Sequence, residues 1–165
     1  MIRNLSYNSF LDCKIGKVYL DLFHTDVEIV LENGVLEEYA EDCVEYLNNL
    51  SDDIINLLCK RLICYYEFVL ESWKKMGFYD DIVKSVKSKI PEKVMGREIL
   101  QYLKPHTMII EQALEETIAF SLECDSDLNP EESIKIIINN NNVLYVGESC
   151  DLGAWEESNE YNVIY

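Results

Sequence analysis

Chemistry in this 165-residue chain would have to come from few groups. It has two histidines, His24 and His106, and six cysteines: Cys13, Cys43, Cys59, Cys64, Cys124 and Cys150. A nucleophilic or acid–base site needs a base within reach of the group it activates, although the two can be distant in sequence. No G-x-S-x-G, Walker loop, G-x-G-x-x-G or H-E-x-x-H announces one. His24 falls in a turn and His106 follows Lys104-Pro105, so both read as surface or boundary residues. No catalytic residue is assigned. The cysteines include no C-x-x-C pair and read as reduced, small core residues. Asp125-x-Asp127-x-Asn129 matches the first three ligand positions of an EF-hand calcium loop. Pro130 then stands where the loop needs glycine, and Ile136 where it needs a bidentate glutamate, so the segment reads as a polar turn between strands. Neither a metal nor a cofactor is expected.

Charge carries more information. Fourteen Lys and Arg against 31 Asp and Glu give a net charge of −17. Such a surface repels nucleic acid and anionic membranes and speeds encounter with basic partners at low salt; it also serves solubility. No nucleic-acid or membrane partner is expected. The distribution is uneven: residues 1–73 hold five basic and 14 acidic side chains, 74–110 eight and four, and 111–165 one and 13.

Two acidic groups are candidate partner-binding sites. Glu37, Glu38, Glu41, Asp42 and Glu45 share one arc of an amphipathic helix, with no lysine or arginine four residues on to offset their repulsion. A solvated helix face is the plain reading, and a basic partner supplying the counter-charge is the functional one. In the tail, Glu156, Glu157 and Glu160 lie beside Trp155 and Tyr161, so acids border aromatic anchors.

The elements that must position these groups begin with the most apolar stretch, Ser51 to Lys75. Asp53, Asn56, Lys60, Glu67, Glu71 and Lys74 form one narrow polar stripe on a wheel that is otherwise apolar. A helix of this kind is packed on more than one side. Its aromatics, Tyr65, Tyr66, Phe68 and Trp73, read as core. Ser51 is its N-cap and Gly77 its stop. A helix over Val35 to Leu50 precedes it, with Leu36, Tyr39, Ala40, Cys43, Tyr46, Leu47 and Leu50 inward; the short connection makes a helical hairpin. Strands are expected at Lys17–Phe23 and Val27–Leu31, with His24–Asp26 as the loop between them. Short helices are expected at Asp80–Ser88 and Glu92–Leu103, the latter closed by Lys104-Pro105. Thr107–Leu114 is ambiguous: Met108–Ile110 could be a strand, and Glu111 to Glu116 a helical turn. Strands follow at Thr117–Cys124, Ser133–Ile138 and Val143–Gly147, the last two joined by an asparagine tetrad suited to a hairpin.

The chain is therefore expected to be one α+β domain, residues 1–165: an antiparallel β-meander packed against a helical hairpin with a long central apolar helix. Its parts are N-terminal strands (1–34), the hairpin (35–75), a short-helix connector (76–116), the meander (117–148) and an acidic tail (149–165). Met1 to Asn8 has no apolar h-region and no run of about 18 apolar residues occurs, so a cytoplasmic location is expected.

Two regions carry a family resemblance. Cys124, Pro130-Glu131, Ile134, Lys135-Ile136 and Val146-Gly147 match the C-terminal meander of a broad group of small bacterial proteins. That group's Trp is missing here, and its His and Gly fall on Glu132 and Ser133. The acidic helix followed by a Tyr-rich helix, residues 35–75, is also similar. Members of this kind resemble immunity proteins of bacterial polymorphic-toxin systems. The resemblance implies an acidic cytoplasmic protein that binds and neutralises a cognate basic toxin domain, such as a nuclease, and it supplies no catalytic residue. The alternatives are a non-catalytic binding or regulatory module, including a homodimer, and an enzyme with a site built from scattered residues. The oligomeric state is left open.

Overall fold

The computed structural model describes residues 1–77 and 94–156, and singly Lys84, Ile90 and Tyr161. Seven strands form one sheet in chain order: β1 (Arg3–Asn8), β2 (Cys13–Leu20), β3 (Thr25–Leu31), β4 (Leu103–Ile110), β5 (Ala119–Ser126), β6 (Ile134–Asn139) and β7 (Asn142–Glu148). Every neighbouring pair is antiparallel except β3–β4, which is parallel. A parallel pair needs a long crossover. Here it holds α1 (Glu37–Asn48), α2 (Asp52–Met76) and a 3-10 helix, Gly96–Tyr102. The α+β class is as expected.

The register explains the layering. Gly16, Ile29, Met108, Leu122, Ile136 and Val146 face one another across six strands in one row. Side chains alternate along a strand, so this row and every second one beside it point to the same face. The apolar members of that face pack against Cys43, Val44 and Leu47 of α1 and Leu58, Leu62, Tyr65 and Val69 of α2 in one continuous core. The next row, Ile15, Val30, Ile109, Ser121, Ile137 and Tyr145, points to the other face.

The caps of α2 fall where the sequence places them. Ser51 Oγ accepts from the Ile54 amide at 3.4 Å, and Gly77, at φ 78°, takes the left-handed conformation that ends the helix. Leu36, expected inward, is exposed instead, because helical backbone starts one residue later and Leu36 is the extended N-cap. In the asparagine tetrad Asn139 pairs with Asn142, and Asn140 turns the chain at φ 51°.

Other boundaries differ. Arg3–Asn8 is an unexpected edge strand. Strand β2 ends at Leu20, a 3-10 turn occupies Asp21–Phe23, and left-handed His24 lets β3 start at Thr25. The expected helix over Glu92–Leu103 is represented among the described residues by the 3-10 helix. Lys104-Pro105 is no stop: it lies inside β4, where the pairing shifts between Pro105 and Thr107. A bulge tolerates the missing proline amide. Glu111–Glu116 makes no helical turn. The connector therefore contributes a central strand, and the sheet runs through residues assigned to three separate parts. The expected helix at Asp80–Ser88 lies outside the described residues, apart from Lys84.

The tail docks on the face away from the helices. Ala154 and Tyr161 pack with Ala119 and Ile137, flanked by Leu144, Tyr145, Leu152 and Trp155. Asn139 Nδ2 donates to Ala154 O at 3.0 Å, and Lys135 Nζ, buried at the sheet, donates to Cys150 O at 2.9 Å.

Candidate protein-binding surface

Helix α1 is held rigidly enough to present a fixed face. Asn48, at its C-terminal end, donates to Tyr19 O at 3.1 Å and accepts from the Asp21 amide at 2.9 Å. On its inner side Tyr46 Oη donates to Asn140 O at 2.7 Å, and Cys43 Sγ to Ala119 O at 3.7 Å. Its acids then separate into two groups. Glu37 pairs with Lys14 Nζ of β2 at 2.6 Å. Glu41 takes the Met1 amino group at 3.3 Å and the Ile2 amide at 2.8 Å. The chain thus supplies a counter-charge to two of the five acids, from residues remote in sequence. Glu38, Asp42 and Glu45 are exposed and have no ion-pair partner among the described residues.

The tail residues are placed otherwise than an aromatic interface would need. Tyr161 is only 7% exposed; its hydroxyl donates to Gly153 O at 2.7 Å and accepts from the Glu156 amide at 2.9 Å. Trp155 is half-buried in the same cluster. Both aromatics anchor the tail to the sheet. Glu156 is exposed, and Glu157 and Glu160 lie outside the described residues.

A second exposed feature sits at the β1–β2 turn, where the sequence offered no motif. Tyr7, Phe10 and Leu11 are 60%, 93% and 58% exposed, and Leu36 is 72% exposed. The turn holding them is built by polar groups. Asn8 Oδ1 accepts from the amides of Phe10 and Leu11, at 3.0 and 3.2 Å. Asp12, left-handed at φ 52°, accepts from Tyr7 Oη and, at 3.0 Å, from Asn33 Nδ2. Beside the turn is a hollow of about 310 Å³, lined by Tyr7, Cys13, Lys14, Val35 and Leu36 among others. The detectable signal was Asn8 and Asp12, two turn formers bracketing two apolar residues.

The groups that could do chemistry are dispersed. His24 and His106 are exposed; His106 Nδ1 is 2.9 Å from Thr107 Oγ1, and its Nε2 is 3.9 Å from Asp125. All six cysteines are free thiols. Burial pushes the Cys43 thiol up to about 11 and raises Cys59 and Cys124 as well, which suppresses the reactive thiolate. The three residues tested as a calcium loop diverge: Asp125 faces His106, Asp127 lies 3.6 Å from Lys104, and Asn129 Nδ2 donates to Tyr65 Oη at 2.9 Å. Among the described residues no group of three or more His, Cys, Asp or Glu side chains gathers to hold a metal ion.

Comparison with known proteins adds a family. Residues 1–152 match the family model described as Domain of unknown function (DUF6985). No curated protein and no solved structure matches the chain.

Proposed function

The chain belongs to the DUF6985 family, whose description assigns no activity, and we propose that it is a cytoplasmic immunity protein that binds a cognate basic toxin domain, such as a nuclease, and occludes its active site. The observation that carries this reading is the exposed face of Glu38, Asp42 and Glu45 on a helix fixed at both ends. Like charges four residues apart cost a helix stability, and a basic partner converts that cost into binding. A nuclease groove holds phosphates with lysine and arginine, so an acidic helix face can occupy the same ground by charge. The net charge of −17 would speed the encounter at low salt. No helix among the described residues is long and apolar enough to cross a membrane, in keeping with a partner met in the cytoplasm.

The test uses the purified product of the adjacent gene. Mixed with this protein, it should co-elute in size-exclusion chromatography at low salt, bind more weakly as salt rises, and lose its enzymatic activity. If no complex forms at low salt, the proposal is rejected.

A further inference from the structure

The acids of α1 give charge but little apolar contact, and affinity in protein interfaces comes largely from a few aromatic or apolar anchors. Most large apolar side chains among the described residues are buried in two clusters. The β1–β2 turn is different, with Phe10 almost fully exposed between Tyr7 and Leu11. An exposed aromatic on a mobile turn would lose entropy on binding; here the Asn8 and Asp12 hydrogen bonds already fix the backbone. The hollow beside the turn continues the apolar surface through Val35 to Leu36, which directly precedes α1.

The charge around this surface selects its occupant. Glu32 lines it, Asp12 accepts from its lining residues Tyr7 and Asn33, and Lys14, the cation in its lining, is engaged by Glu37. A second copy of a chain with net charge −17 would bring like charge against that rim. We infer that the β1–β2 turn, with Leu36 across the hollow, is the docking site for a basic protein segment in which apolar side chains are flanked by lysine or arginine. Phe10 and Leu11 are the anchors, and Asp12, Glu32 and Glu37 hold the flanking cations. This rests on the reading of a basic partner and specifies which surface meets it.

The experiment uses two synthetic probes on the isotopically labelled full chain: a lysine-rich peptide carrying a central pair of leucines, and the same peptide with serines in their place. Amide shifts caused by the leucine peptide should concentrate at Tyr7–Lys14 and Asn33–Leu36. The F10S/L11S variant should bind it about tenfold more weakly, with an unchanged denaturation midpoint. L36S, at a separate exposed position, should weaken it as well. The serine peptide should bind both proteins alike. Shifts confined to Glu38–Glu45, with F10S/L11S binding normally, would overturn this site while leaving the acidic-face reading intact. Absence of salt-dependent binding by either peptide would overturn both. Self-association of the free protein that F10S/L11S abolishes would make the turn an interface between copies and overturn the basic occupant.

Discussion

The Tyr39 hydroxyl accepts a hydrogen bond from the Ala119 amide at 3.0 Å, so the first strand residue of β5 is completed by a side chain of α1. The same hydroxyl has one proton to donate, with Thr117 O at 3.1 Å and Ala119 O at 3.4 Å within its reach. Burial, then the nearby Cys43, pushes its ionisation well above the usual phenol value, so it remains a neutral donor and acceptor. This one group joins residues 80 positions apart and ties the acidic helix to the sheet.

The Y39F variant should therefore unfold at lower denaturant. It keeps the ring and leaves the Ala119 amide without its hydroxyl acceptor. A loss of about 1–3 kcal/mol is expected for an amide so orphaned. Urea titration with an unchanged slope would measure it, and an unaltered midpoint would refute the role assigned to this hydroxyl.

What the sequence made legible was local. Ser51 and Gly77 bound α2 because capping needs only neighbours, and the inward faces of both helices follow from their period except at Leu36 and at Phe68, which is expected in the core and is exposed. The asparagine turn is likewise self-contained. Strand β1 escaped notice because an edge strand with mostly exposed residues has no apolar alternation. Strand β4 was obscured by Pro105, a breaker whose cost vanishes at the bulge beside it. Its parallel partner β3 lies more than 70 residues earlier, a pairing no local pattern encodes. The candidate surface was legible to the same degree. Periodicity grouped Glu37 to Glu45, but it could not reveal that Lys14 and the chain's first residues answer Glu37 and Glu41. Acids around Trp155 and Tyr161 suggested an interface, whereas the bare Ala119 and Ile137 on the sheet's second face draw those rings inward.

One of the tail's attachments can be released at one atom. Glu111 Oε2 accepts from the Ala154 amide at 2.7 Å, and a Cβ on Gly153 would stand 2.3 Å from Glu111 Oε1. In G153A the carboxylate must move away, and moving it breaks the bond to Ala154. Faster amide exchange over residues 149–156 and altered Trp155 fluorescence are expected, with β1–β3 unchanged. Wild-type exchange rates in that tail would show that the glutamate is not what holds it.

Glu32 should make stability depend on pH in the direction opposite to most carboxylates. Burial, then the charge of Glu111, raises its pKa above 4.5, against a smaller lowering by Lys135. A carboxyl raised in the folded state contributes stability below the unfolded value, and that contribution is lost as pH rises through the folded value. In E32Q the loss cannot occur. The difference in melting temperature between E32Q and the parent should therefore grow in the variant's favour from pH 4.5 to neutral. A constant difference over that range would contradict the raised pKa.

Asp42 separates stability from binding most directly. It lies four residues after Glu38 and three before Glu45, all three exposed on one helix face. D42K turns two repulsions into attractions, and the glutamate N-terminal to a lysine at that spacing is the favourable order. A gain of about 0.3–0.5 kcal/mol per pair is expected, read as a higher urea midpoint. Binding to a basic partner should move the other way, with slower association and a weaker salt dependence, because a cation now stands where counter-charge was offered. The comparison variant K14A removes the exposed Glu37 pair and one cation from the lining of the hollow, so it should cost at most about 1 kcal/mol and leave association no slower. If D42K gained stability yet kept parental binding to the adjacent-gene product, the helix face would be a solvated surface and the partner would dock elsewhere.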